Sequence, residues 1–234
     1  MVTANGTQSH PPHPYYPIDA EIVGYLANEY SVLTLLVCFS AGCAGVLGTA
    51  LAIASRFRPS MSTADKLAVL WFVLSGTLHS FFEGYFVLNH NRMGPAQDLF
   101  GQLWKEYALS DSRYLTSNTL VLCMEAITVL VWGPLCFAVA YFITVRHSLR
   151  HPFQIIVCMA HLYGDVLYYA TSLFDHYYNG LSYCRPEAYY FWVYYFFMNF
   201  LWIVIPFHYL YGSITTISNA FKSLDKAAES RKSK

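Results

Sequence analysis

Three carboxyl side chains stand inside long apolar stretches of this chain: Glu83 in LSGTLHSFFEGYFVL, Glu125 in VLCMEAITVLVWGPL and Asp165 in MAHLYGDVLYYA. A charged group at the centre of such a stretch costs roughly 2.5–3.5 kcal/mol on insertion scales, so acids there face a cavity or a partner and are candidates for chemistry. His79 precedes Glu83 by four residues, which puts both side chains on one helical face, where they can share a proton. Glu125, Thr128 and Trp132 follow at i, i+3 and i+7 and align an acid, a hydroxyl and an indole along one stripe. Asn199 and Trp202 repeat the i, i+3 spacing in FFMNFLWIVIP, just ahead of Pro206, which is expected to bend that helix. Any one of these groups can serve packing alone, because buried acids pair across helices and Asn joins helices by hydrogen bonds. Four of them on three segments, all able to face one interior, point instead to a shared site for proton transfer. Asp165 has His161, Tyr163 and Tyr168 within reach as structural partners.

The elements that hold these groups must cross a membrane. Of the 234 residues, 56% are hydrophobic and 12% charged, against roughly 25% charged in soluble domains. Five segments of about 20 or more mostly apolar residues are expected as transmembrane helices: Ser31 to Ala54, Leu67 to Leu88, Thr119 to Val145, Phe153 to Phe174 and Ala188 to Gly212. The fold class is therefore an all-α bundle of five transmembrane helices enclosing a ligand cavity, spanning residues 31–212. Residues 1–30 form an N-terminal tail and residues 213–234 a basic tail that frays from the last helix. Gly42, Gly45 and Gly48 on the first span are expected to let helices approach closely.

Lys and Arg collect on cytoplasmic flanks. One side holds ten of them (Arg56, Arg58, Lys66, Arg146, Arg150, Lys222, Lys226, Arg231, Lys232 and Lys234), and the other holds four (Arg92, Lys105, Arg113 and Arg185). The C-terminus is thus expected in the cytosol and the N-terminal tail in a lumen, where Asn5-Gly6-Thr7 offers a glycosylation sequon. The closing RKSK resembles a basic signal for retention in the endoplasmic reticulum. The loop between the second and third spans, NHNRMGPAQDLFGQLWKEYALSDSRYLTSN, exceeds what a helix connection needs. It is expected as a solvated surface helix, with Trp104, Tyr107 and Tyr114 at the membrane interface and Lys105, Glu106, Asp111 and Arg113 offsetting one another; a lid contacting substrate is the alternative.

Formal net charge is zero, which removes the field that would gather nucleic acid. The six cysteines lack a C-x-x-C pair, so neither a disulfide framework nor a zinc site is expected. There is no strand-borne G-x-G-x-x-G and no H-E-x-x-H, and no cofactor is expected. The first thirty residues carry no Lys or Arg and do not read as a cleaved signal peptide. Eighteen per cent of the chain is aromatic. A cavity walled by ring faces and carboxylates favours a positive centre.

HSFFEGYFVL, LWKEYALSDSRY, CMEAITVLVWGPL, LYGDVLYY and FMNFLWIVIP resemble, in order and spacing, the signature segments of the emopamil-binding (EXPERA) family of 3β-hydroxysteroid Δ8-Δ7 isomerases, from about Leu67 to Pro206. The resemblance implies a cofactor-free enzyme of the endoplasmic reticulum, a homodimer, that acts on a membrane-embedded Δ8-sterol and binds amphiphilic amines. It carries functional roles onto His79, Glu83, Glu125, Thr128, Asn199 and Trp202. His79 and Glu83 would handle one proton transfer, and Glu125 would stabilise a carbocation. Thr128 and Asn199 would orient these groups, and Trp202 would present its ring. Asp165, Trp132, Tyr163 and Tyr107 are expected as substrate contacts. The rivals are a non-catalytic sterol or amine receptor of the same superfamily, an isomerase or cyclase of another polycyclic terpenoid, and a proton-relaying transporter, for which the odd span count and lack of inverted repeats fit poorly.

Overall fold

The computed structural model describes residues 12–232, among which there are helices and turns but no strand; the Asn5 sequon lies outside them. Six helices carry the architecture: α1 (Val32–Phe57), α2 (Thr63–Arg92), α3 (Leu99–Tyr107), α4 (Thr119–Thr144), α5 (Arg150–Phe174) and α6 (Tyr190–Lys232). Each of the first four starts where a side-chain oxygen takes up amide donors that the first turn leaves free. Ser31 accepts from Thr34, Ser62 from Asp65, Asp98 from Phe100 and Gly101, and Asn118 from Leu120 and Val121.

Among the described residues four helices, α1, α2, α4 and α6, are long and apolar enough to cross a membrane. Helix α5 is long enough but less apolar, because it carries Gln154, His161 and Asp165. Gln154 and His161 are turned inward and buried. Contrary to expectation, α6 does not fray at Gly212: it runs unbroken through Pro206 to Lys232. Nor does any helix approach Gly42, Gly45 or Gly48, which have no atom within 4 Å of where a side chain would begin.

Two apolar cores stack along the bundle. One gathers Trp71, Phe72, Cys136, Val139, Ile143, Val157, Cys158 and Leu210. It is closed at its end by Asp65, which bonds Arg58 and Arg150 at 2.7 Å each. The other gathers Phe86, Trp104, Tyr114, Val121, Tyr168 and Tyr195 with Tyr15 and Ile22. Along every inner helix the candidate site residues fall between the two sets: His79 between Phe72 and Phe86, Glu125 between Val121 and Cys136, His161 between Cys158 and Tyr168, Trp202 between Tyr195 and Leu210.

The loop carrying α3 is not a solvated surface helix. Gln102, Lys105, Asp111 and Arg113 are all buried, and the N-terminal segment is docked over them. Gln102 Oε1 accepts from the amides of Glu29 and Tyr30 at 2.8 Å. Lys105 Nζ donates to the Leu26 carbonyl at 2.8 Å and to Gln97 Oε1 at 3.0 Å, and burial pushes its ammonium down to about 8. Tyr15 donates to the Lys105 carbonyl at 3.1 Å. The neutralising partners expected among the loop charges reduce to one buried pair, Asp111 with Arg113.

Candidate active site

The inner helices meet where two of them widen. Over Leu78–Glu83 in α2 and Thr128–Trp132 in α4 the backbone takes a π-helical turn, a local widening that recurs at functional sites. The two turns touch because Gly133 has no side chain: a Cβ there would lie 2.5 Å from Ser80 Oγ and 3.3 Å from His79 Cβ. Gly133→Ala is accordingly expected to force α4 off α2 and to cost about 1–3 kcal/mol, read as a lower melting temperature with reduced ligand binding. Gly48→Ala, which meets open space, should lose nothing by the same assay.

Around this junction lies a cavity of about 430 Å³, within the usual range for small-molecule sites of roughly 300–1,000 Å³. All ten expected site residues line it: His79, Glu83, Tyr107, Glu125, Thr128, Trp132, Tyr163, Asp165, Asn199 and Trp202. They do not all meet one another. Hydrogen bonds tie the ionisable groups into the wall. His79 Nδ1 donates to both Glu83 oxygens at 2.8 Å, and Glu125 lines the same wall, where the two carboxyls act on each other's charge. Tyr114 donates to Glu125 Oε1 at 2.7 Å. On its other side His79 Nε2 lies 3.0 Å from His161 Nε2. With the Nδ1 proton directed at Glu83, a neutral His79 accepts from His161 through Nε2. His161, His79 and Glu83 thus form one hydrogen-bonded chain with Glu125 beside it on the same wall, and each of these four groups can pass or store a proton.

Thr128 and Asn199 stand apart from this chain. Thr128 Oγ1 donates to the Met124 carbonyl at 2.9 Å. Asn199 donates to the Tyr195 carbonyl at 2.6 Å and to the Tyr107 hydroxyl at 3.1 Å. Trp202 leans on Trp71, ring centroids 5.1 Å apart, and its buried Nε1 has no hydrogen-bond partner among the described residues. Asp165 pairs with none of His161, Tyr163 or Tyr168, and its buried Oδ2 has no partner among the described residues. Tyr163 touches the cavity yet is largely exposed on the outer, apolar face.

Two groups that sequence reasoning placed elsewhere do most of the orienting. Tyr114, Trp104 and Tyr107 turn into the protein and line the cavity, with Trp104 and Tyr114 stacked at 4.7 Å. Burial raises the Tyr107 and Tyr114 hydroxyls above the usual phenol range, so both remain donors near neutrality. Nothing in the spacing of a loop marks Tyr114; its unusual length was the only signal. His161 could be placed on the Asp165 face of its helix, but which neighbour it meets across the bundle is not encoded in its own segment.

Known proteins resemble the chain along most of its length. The family model described as EBP: EXPERA (EXPanded EBP superfamily) matches residues 99–213. The 3-beta-hydroxysteroid-Delta(8),Delta(7)-isomerase of Cavia porcellus is 32% identical over 229 residues, 97% of this chain and 99% of its own. The corresponding isomerase of Rattus norvegicus is also 32% identical, over 97% of this chain and 98% of its own. A protoglabretal synthase of Citrus sinensis is 32% identical over 155 residues, 66% of this chain and 71% of its own. With 32% identity to isomerases of one kind along nearly the whole chain, the chain belongs to the EBP (EXPERA) family.

Proposed function

We propose that the chain is a sterol Δ8-Δ7 isomerase. The observation that carries this reading is the hydrogen-bonded His79–Glu83 pair with Glu125 on the wall of one aromatic, apolar cavity. Moving the double bond from C8=C9 to C7=C8 involves no net oxidation. The C8=C9 electron pair takes a proton at C9, leaving a carbocation at C8, and the C7–H pair then forms C7=C8 as that proton leaves. The His79–Glu83 pair handles one transfer. Glu125, fixed by Tyr114, sits in a low-dielectric wall where a carboxylate attracts a cation far more strongly than in water, and it handles or assists the other. The ring faces of Trp104, Trp202 and Tyr107 add attraction for the same charge. Which carboxyl delivers the C9 proton belongs to the coupled set as a whole.

The remaining features follow from the same reading. Helix α5 is a fifth span, tolerated in the membrane because its polar residues face the cavity and the neighbouring helices. The C-terminus is cytosolic and the N-terminal segment lumenal, in the endoplasmic reticulum, and the enzyme is a homodimer. Amphiphilic amines bind as mimics of the cation. A purified sample in detergent, given a Δ8-sterol and no added cofactor, is expected to yield the Δ7 product. In deuterated water the label should appear at C9. Product lacking solvent deuterium at C9 would rule out the protonation step, and amine binding without turnover would reassign the chain as a receptor. Coverage of nearly the whole chain by the isomerases, against two thirds by the plant synthase, favours a sterol over another terpenoid.

A further inference from the structure

Beside the acids, three helices bring together a different set of groups. His79 Nε2 lies 3.0 Å from His161 Nε2, which lies 3.8 Å from Cys136 Sγ. All three ligand atoms fall within 4.8 Å of one another, and all three residues are buried. Zinc bound at about 2.0–2.1 Å to nitrogen and 2.3 Å to sulfur holds neighbouring ligand atoms roughly 3.3–3.8 Å apart. The imidazole pair needs only to part slightly to admit an ion, while the sulfur already stands 3.8 Å from one of the two nitrogens and within 4.8 Å of the other. A metal-bound imidazole characteristically donates its other N–H to a carboxylate, which fixes the ring and raises its basicity. His79 has this arrangement in place, with Nδ1 on both oxygens of Glu83.

We propose that His79, His161 and Cys136 form a site for Zn²⁺ that opens on the cavity and whose occupancy arrests the isomerase. The ion enters through the cavity, which both histidines line. Cys136 loses its thiol proton to solvent. The proton between the two imidazoles moves to His161 Nδ1, which has no hydrogen-bond partner among the described residues. The two positive charges of the ion are then balanced by the Cys136 thiolate and the Glu83 carboxylate, as burial in an apolar interior requires. Soft and borderline ligands of this N₂S kind select zinc over magnesium or calcium. Occupancy ties up His79 Nε2 and holds Glu83 ionised as the partner of His79, so neither can return a proton to the relay. The arrest rests on the catalytic reading above; the binding does not.

The test uses tag-free, full-length protein in detergent, stripped by a chelator and titrated with Co²⁺ and then Zn²⁺. One equivalent of Co²⁺ should produce tetrahedral d–d absorption together with a thiolate-to-cobalt charge-transfer band, and Zn²⁺ should displace it. Cys136→Ala, and Cys136→Ser as a closer match in size, should lose the charge-transfer band. They should also bind at least about 100-fold more weakly, a larger loss than removal of an outer partner gives. Both variants should turn over metal-free substrate at the wild-type rate and resist Zn²⁺ inhibition, which in wild type should follow the binding curve. Wild-type protein without the charge-transfer band, or variants that keep it, would overturn the site. Binding without inhibition would overturn the arrest. A Co²⁺ band in a protein inert toward Δ8-sterols would uphold the site while removing the catalytic reading.

Discussion

Glu125→Gln is expected to lower turnover of a Δ8-sterol by about 10²–10⁴-fold, the range for removing a positioned acid or base, without lowering the melting temperature. The substitution keeps the shape of the side chain and its two neighbours. Gln Oε1 still accepts from Tyr114, as Glu125 does at 2.7 Å. What disappears is the carboxyl proton and the negative charge available to a carbocation. Replacing a buried acid with a neutral amide removes a desolvation cost, so stability should hold or rise. A variant that retains turnover within about 3-fold of wild type, well below the general acid–base range, would show that Glu125 only packs. A loss of activity with an equal loss of folded protein would assign it to structure. The amine-binding assay adds a second axis. If the charge attracts cations, affinity for an amphiphilic amine should fall with the same substitution.

Arg113→Ala should be the most destabilising change in the loop, at about 3–5 kcal/mol, because it strands a buried charge. Arg113 is 1% exposed and Asp111 is fully buried. The guanidinium bonds Asp111 at 2.7–3.0 Å, donates to Thr171 Oγ1 at 3.1 Å and lies 4.8 Å over the Tyr168 ring. It therefore ties the loop to α5 at the wall of the cavity, so both the melting temperature and sterol binding should drop. Lys is not expected to rescue the fold, since a point ammonium cannot reproduce the planar fork that meets Asp111 and Thr171 together. The double variant Asp111→Asn/Arg113→Ala should be more stable than Arg113→Ala alone, because the orphaned charge is gone. Equal stabilities for the two would mean that the ion pair contributes little and that lost packing over Tyr168 and Tyr183 dominates.

The helices and the polar residues that line the cavity were legible from the sequence, for a reason that does not depend on packing. An apolar solvent demands long apolar helices and makes each buried polar group expensive, so His79, Glu83, Glu125, Asp165 and Asn199 stand out by type and position alone. Helical periodicity then fixes which of them share a face, and the i, i+4 bond of His79 to Glu83 follows from α2 by itself. What periodicity cannot give is the partner across a gap between helices. That Tyr114 holds Glu125, that His161 meets His79 and not Asp165, and that Cys136 completes a three-ligand cluster all depend on how α4, α5 and the loop settle against α2. The settling turns on local details such as the missing side chain at Gly133 and the two π-helical turns that face each other there. The loop was misjudged for the same reason. Lys105, Asp111 and Arg113 look solvated one at a time, and only the docked N-terminal segment and the underside of α5 supply the carbonyls, hydroxyl and ring faces that let them be buried.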